Sequence, residues 1–226
     1  MPDQTKDAYE RIARFYDTLL EPVNAPLRSM GWKLHPTDDS MTVLDVGCGT
    51  GAHLEAYVES GAECFGLDAS PAMLDQASAR LGERADLELG DATALPYKDS
   101  SFDFVFTSLF LHELDAETRR SSLSEMARVV TPDGFVLIID YRSGPLRAKG
   151  YLNRSLSTAA EFVAGRNHYR NWRTYLNSGG IPAVLPKVGL MVEREKIVAG
   201  GNFALWLLRP STHSQPNTED SSDRSP

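Results

Sequence analysis

VLDVGCGTGAHL, residues Val43 to Leu54, decides how the chain is read. An apolar run ends in Gly47, Gly49 and Gly51, one at every second position, and the pattern then turns amphipathic. That is a strand feeding a tight turn into a helix, and the glycines let a ligand lie against bare backbone. Residues 47–52 even fit the loose dinucleotide pattern, with Ala52 in its last place. Asp45 speaks against that ligand. Such loops cradle anions on a helix N-terminus. A carboxylate a few ångströms away costs about 4 kcal/mol per charge pair at an effective dielectric of roughly 20. A ligand carrying an ammonium group would be attracted instead.

Outward from this stretch, strand and helix alternate. Upstream, residues 8–20 (AYERIARFYDTLL) place Ala8, Ile12, Phe15 and Leu19 at helical spacing, and HPTDDS links them to a first strand over Met41 to Val46. Downstream, a helix is expected over Ala52 to Glu59 and a second strand over Cys64 to Leu67, ending in Asp68. Ser70-Pro71 starts a helix that closes at Gly82. A third strand, Asp86 to Leu89, precedes GDA, and a fourth, Phe102 to Thr107, precedes SLFLHEL. Asp115 caps a helix with Leu123, Met126, Ala127 and Val130 on one face, and the turn TPDG leads into a fifth strand, Phe135 to Ile139. Strands separated by helices imply a parallel sheet. MVEREKIV, Gly200-Gly201 and NFALWLLR instead read as a terminal hairpin.

The 226 residues suit one α/β domain. Residues 1–40 read as an N-terminal helical cap and linker, 41–210 as the main domain and 211–226 as a disordered tail. No apolar run approaches the roughly 20 residues of a membrane span, and no secretory leader is visible, so a cytoplasmic location is expected. Cys48 and Cys64, the two cysteines, lack metal-ligand spacing and suit a reducing compartment; no metal is expected. The net charge of −8 opposes general nucleic-acid binding. Charge is unevenly spread. Tyr141 to Ser178 holds seven basic residues and one acid, Glu161, so this segment carries +6 and leaves −14 for the rest of a chain that totals −8. Within this basic insertion, at about 142–180, Tyr151, Phe162, Tyr169, Trp172 and Tyr175 lie among the charges. A helical surface with its aromatics turned to the core is one reading, and an acceptor-binding face is the other.

Five ordered segments bear a family resemblance. VLDVGCGTG resembles the first motif of class I S-adenosylmethionine (SAM)-dependent methyltransferases, GLDASPAML their second, GDATALPY their third and FDFVFTSLFLHEL their fourth; EMARVVTPDGFVLIIDY is similar to the segment that follows. AYERIARFYD resembles the N-terminal helix of the subgroup containing ubiquinone/menaquinone C-methyltransferases and small-molecule or lipid methyltransferases. The resemblance implies a doubly wound, Rossmann-like α/β fold, with a mostly parallel seven-stranded sheet and a C-terminal antiparallel hairpin. It also implies S-adenosyl-L-methionine as cofactor, whose ammonium suits Asp45.

The resemblance distributes roles along the chain. Asp68 would accept both ribose hydroxyls, with Ala69 beside it; a turn aspartate is the bland alternative. Asp91 and the Ala92 amide would read adenine, unless Asp91 merely closes a turn. Thr50 lies in the glycine loop near the methionine end of the cofactor, and Ser108 follows the fourth strand where relatives touch it. Met73 either packs on adenine or is core, and Tyr16 either closes over the methionine carboxylate or is core. Cys48 reads as a small filler in the loop, since methyl transfer needs no thiol nucleophile. His112 is the candidate acid/base at the acceptor's rim, with the alternative of a hydrogen-bonding residue on a helix. Asp140 and Tyr141 also face the expected acceptor space, and Arg166, Arg170 and Arg173 would bind an acidic ring compound, a quinone precursor or an anionic headgroup. The expected reaction is in-line displacement from SAM onto carbon, nitrogen or oxygen of a small-molecule or lipid-like acceptor. The rivals are a non-catalytic SAM-binding regulatory or assembly protein and a nicotinamide-dependent oxidoreductase.

Overall fold

The computed structural model describes the backbone of residues 13–211 and the side chains from residue 24 onward. Seven strands form one sheet: β1 (Thr42–Val46), β2 (Glu63–Asp68), β3 (Asp86–Leu89), β4 (Phe102–Ser108), β5 (Val130–Tyr141), β6 (Leu190–Val198) and β7 (Phe203–Pro210). Their spatial order is β3-β2-β1-β4-β5-β7-β6. The pairs β1–β2, β1–β4, β2–β3 and β4–β5 are parallel, while β7 runs antiparallel to both β5 and β6. The expected hairpin is present, but its second strand inserts beside β5 and leaves β6 at the edge. Burial explains the choice: every residue of Phe203–Leu208 is buried, whereas β6 is exposed from Met191 to Ile197. The apolar strand takes the interior place.

Among the described residues six α-helices flank the sheet: α1 (Ala13–Leu34), α2 (Leu54–Val58), α3 (Pro71–Leu81), α4 (Ala116–Val129), α5 (Ala148–Ala164) and α6 (Arg166–Asn177). Local chemistry sets their ends. Ser70 accepts from the Met73 amide at 3.2 Å with Pro71 at the first helical position, and Gly82 closes α3 at φ +59°. Asp115 caps α4 by accepting from the Glu117 and Thr118 amides, each at 3.0 Å.

Several boundaries differ from expectation. α1 continues through Pro22 and Pro26 to Leu34, where the sequence had suggested an end near residue 20; residues 8–12 of that expected helix lie outside the described residues. Packing supports its last turns, with Leu27 buried and Trp32 edge-on to Tyr57 at 5.3 Å. α2 is shorter than expected because the glycine loop extends to His53. TPDG is not a turn before a strand but a bulge within β5: Phe102 pairs with Val130 and Phe104 with Phe135, so the four residues Thr131 to Gly134 stand opposite the single Asp103. Val130 consequently belongs to β5 rather than α4.

The basic segment after β5 holds α5 and α6 and is pinned by its inner face. A Cβ on Gly150 of α5 would collide with the Gly200 carbonyl in the β6–β7 connection. Asn153 donates to Ala199 O at 2.9 Å, and the Arg154 guanidinium to the Asn202 side chain and Arg142 O. Among the described residues no helix is long and apolar enough to cross a membrane. The expected tail falls almost wholly outside the described residues.

Candidate functional site

Neighbours of β1 lead to opposite ends of the sheet, β2 to β3 on one side and β4 to β5 on the other. Doubly wound sheets open a crevice at such a switch point, beyond the carboxyl ends of the strands. A cleft of about 480 Å³, counting its open mouth, lies there. β1 and the loop after it line the cleft with Asp45, Gly47, Cys48, Gly49, Thr50, Ala52 and His53; the end of β4 and the residue after it contribute Ser108 and Leu109, and α1 contributes Asn24 and Arg28.

The three glycines serve two purposes. All have positive φ, +74°, +54° and +72° in chain order. A Cβ on Gly47 would meet Phe110 at 2.7 Å and one on Gly51 would meet Leu81 at 2.8 Å, so these two permit close packing. Nothing lies within 4 Å of a Cβ on Gly49, which faces open space. The loop is tied to β2: the Gly47 and Cys48 amides donate to Leu67 O at 2.8 and 3.1 Å. Asp68 completes the tie, its Oδ2 accepting from the Gly49 amide and its Oδ1 from the Ser70 amide, both at 2.8 Å.

Asp45 is the anomaly. Its side chain is 2% exposed, lines the cleft and accepts no hydrogen bond from the described residues. Burial, reinforced by the neighbouring Asp68, pushes its carboxyl pKa well above the ordinary value. A buried acceptor without a donor is costly in a finished core; at a cleft wall it is a place for a ligand's donor. Cys48 shares this environment. Burial and then the two carboxylates raise its thiol, which therefore stays protonated and is a poor nucleophile.

Other candidates from the sequence lie elsewhere. Asp91 is exposed and accepts from the amide and hydroxyl of Thr93, each at 2.8 Å, closing the turn after β3. Ala92 and Met73 are buried and Ala69 is exposed; none of these four lines the cleft. Tyr16 falls within α1, but its side chain is outside those described. The exposed rim expected at His112 is not what the chain adopts. His112 is 3% exposed, its Nδ1 lies 2.8 Å from Asp140 Oδ1, and its Nε2 lies 3.4 Å from Glu161 Oε1 on α5. Tyr141 donates its hydroxyl to the same Glu161 oxygen at 3.0 Å. His112, Asp140 and Tyr141 are thus brought together, but under the insertion rather than beside open space. Arg166, Arg170 and Arg173 are exposed on α6 and none lines the cleft. Of the aromatics, Trp172 and Tyr175 turn inward as one reading had it, while Tyr151 and Phe162 face outward.

Sequence reasoning missed Asn24, Arg28, His53 and Leu109. Arg28 reaches the cleft only because α1 passes its two prolines. His53 packs at a tilt against Phe106, with ring centroids 4.6 Å apart, and both its ring nitrogens are buried without hydrogen-bond partners among the described residues; burial, then Arg28, lowers its pKa to about 3. Leu109 has φ +55°, a strained backbone for leucine, and its amide donates to Ile139 O at 2.8 Å. Only the histidine stood inside the segment that first drew notice.

Comparisons with known proteins agree with this architecture. A family model described as "Methyltransferase domain" matches residues 44–138. A demethylmenaquinone methyltransferase of Renibacterium salmoninarum is 33% identical over 175 residues, 70% of each chain. One of Mycobacterium sp. (strain KMS) is 29% identical over 224 residues, 90% of this chain and 93% of its own. A crystal structure of a SAM-dependent methyltransferase from Aquifex aeolicus superposes with a TM-score of 0.57 at 21% identity, covering 81% of this chain and 89% of that one, a likeness of fold.

Proposed function

The chain belongs to the class I SAM-dependent methyltransferases of the menaquinone-type subgroup, and on that premise we propose which residues hold the cofactor and what acceptor they suit. The enzyme transfers the methyl group of SAM to a small-molecule or lipid-like acceptor. The nicotinamide alternative and the non-catalytic one both give way to this membership.

The observation that carries the residue assignment is Asp45, a buried carboxylate lining the cleft without a donor among the described residues. An ammonium group satisfies it in both charge and hydrogen bonding. Three neighbouring strands carry a carboxylate at or near their ends: Asp45 one residue before the end of β1, Asp68 at the end of β2 and Asp91 two residues beyond β3. At the usual strand spacing they span about 10 Å, so an elongated ligand across the strand ends meets them in turn. In this proposal Asp45 and Arg28 hold the ammonium and carboxylate of the methionine end. Gly47, Gly49, Thr50 and Gly51 cradle that end, with Cys48 as packing. Asp68 and Ala69 hold the ribose, Asp91, Ala92 and Met73 the adenine, and Ser108 the wall towards the acceptor.

Bound there, SAM supplies a methyl group activated by its sulfonium, so the protein's task is alignment and exclusion of water. Among the described residues of the cleft, the one imidazole, His53, has its pKa pulled to about 3 and is too weak a base near neutrality. His112 we assign as a cation held between carboxylates, not as a base. These points favour an acceptor that is acidic by itself, such as the quinol or enol of a demethylated quinone, over an amine or alcohol that must be deprotonated. The −8 net charge supports a small molecule over nucleic acid, and a cytoplasmic location with one catalytic domain belongs to the same proposal. Radiolabelled methyl from SAM should appear on quinols of this type in a panel that also holds simple phenols, amines and lipids; label on amines alone would overturn the acceptor class.

Asp45 also gives a linkage. Its raised pKa in the free enzyme means that binding an ammonium draws it into its ionised form and releases a proton. Affinity for SAM should therefore rise with pH on the acid side of neutrality. Calorimetry at about pH 6, in two buffers of different ionisation enthalpy, should register proton release that Asp45→Asn abolishes. Identical heats for the wild type in the two buffers would count against the assignment.

A further inference from the structure

The outward half of α5 is built the wrong way round for a solvated helix. Tyr151, Leu152, Leu156, Phe162 and Val163 are 63–85% exposed. At 100° per residue they fall, with Ala159 and Ala160, on one half of the helix, where Lys149 is the only charge. Scattered exposed apolar residues are ordinary, but a contiguous set marks an interaction site. The helix cannot roll this stripe inward. Its other half is held by Gly150 against Gly200, by Asn153 on Ala199 and by Glu161 on Tyr141.

Cations frame the stripe. Arg147 and Lys149 stand at the start of α5, and Arg166, Arg170 and Arg173 form an exposed i, i+4, i+7 line on α6. None of the five makes an ion pair among the described residues. The only acid of the segment, Glu161, is turned inward. The two features are continuous: Phe162 meets Tyr169 edge-on at 5.9 Å, and Arg173 lies over the Tyr169 ring at 5.7 Å.

We propose that the outer faces of α5 and α6 dock the enzyme on an anionic lipid surface, the apolar stripe entering the headgroup boundary and the five cations facing lipid charge. An amphipathic helix with basic flanks lies in a membrane interface in this way, and juxtamembrane cations are drawn to anionic leaflets. Charge complementarity favours lipid over a second copy of the chain. A two-fold contact would set the same patch against itself, five cations facing five. With −14 on the rest of the chain, the same lipid charge repels the remainder of the protein as a whole and favours this orientation. The proposal rests on the lipid-like acceptor read above, for which such docking would bring the enzyme to its substrate.

The test uses the full chain and sedimentation with vesicles, which needs no turnover. Wild type should bind vesicles of phosphatidylcholine containing about one third phosphatidylglycerol, bind pure phosphatidylcholine at least ~10-fold more weakly, and release with salt. Arg166→Glu/Arg170→Glu/Arg173→Glu should lose at least ~100-fold in binding to the anionic vesicles, since removing each arginine is worth about a factor of five and the glutamates add repulsion. Leu152→Ser/Leu156→Ser/Val163→Ser should lose binding to both vesicle types while keeping the wild-type affinity for SAM and circular dichroism. Equal binding of wild type and both variants would overturn the proposal. So would light scattering in which the stripe variant only abolishes a dimer. Vesicle binding without methyl transfer to any lipid-like acceptor would leave docking intact and count against the acceptor reading.

Discussion

Replacing Asp68 with alanine should weaken SAM binding by roughly 100-fold or more while the protein stays folded. Asp68 is half-buried at the end of β2, and each of its oxygens already accepts one backbone amide, from Gly49 and from Ser70. In the proposed site the same carboxylate accepts the two ribose hydroxyls. Hydrogen bonds to a charged acceptor contribute about 1.5–3 kcal/mol each, so losing two means roughly two to four decades in affinity. The variant also releases the Gly49 amide, so the loop that forms the cradle is no longer tied to β2. Stability should suffer less than binding, because Ser70 still caps α3 and the Leu67 carbonyl still holds Gly47 and Cys48. Calorimetric titration with SAM, alongside a thermal melt, separates the two effects. Affinity within threefold of wild type in a folded variant would remove Asp68 from the site. Asp68→Asn should fall between, since its amide keeps only one oxygen for two sets of donors.

The fold was more legible in the sequence than the site. β1 announces itself because a strand buried on both faces must be a continuous apolar run, and Ser70-Pro71 and Gly82 mark α3 because caps are local chemistry. What misled was tertiary. Pro22 and Pro26 suggest a break, yet α1 passes them with Leu27 buried, and Arg28 is carried to the cleft as a result. TPDG has turn composition, and the register between β4 and β5 absorbs it as a bulge. The glycines look alike in sequence, but Gly47 and Gly51 are small because Phe110 and Leu81 press on them, whereas Gly49 is bare towards the cleft. His112 shows the same limit. Spacing places it after β4 beside the expected acceptor space, but nothing local reveals that Glu161, 49 residues later, covers it.

That cover leads to the second large effect, which concerns stability and its dependence on pH. Exchanging His112 for leucine would leave Asp140 and Glu161 buried without the cation between them, and breaking a buried ion pair by removing one partner costs about 3–5 kcal/mol. In the wild type, burial alone would lower the imidazole pKa; Asp140, at 2.8 Å from Nδ1, and Glu161 outweigh it and raise it to about 10. The same contact holds Glu161 below its ordinary value against the effect of burial. The groups around the pair are the Tyr141 hydroxyl on Glu161, the Arg119 guanidinium near Asp140, and His168, whose charge acts on Glu161. A histidine pKa raised on folding contributes stability that is complete below its unfolded value of about 6.5 and fades as pH climbs through the folded one. Denaturant melts should therefore show the wild type losing stability between pH 6.5 and about 10, with His112→Leu much flatter across that window. Parallel slopes for the two proteins would mean that His112 is neutral in the folded state, and would reopen its assignment as a base. Because Glu161 sits on α5, releasing it should also loosen the helix that carries the apolar stripe, so hydrogen exchange in α5 should rise in His112→Leu before the sheet itself opens.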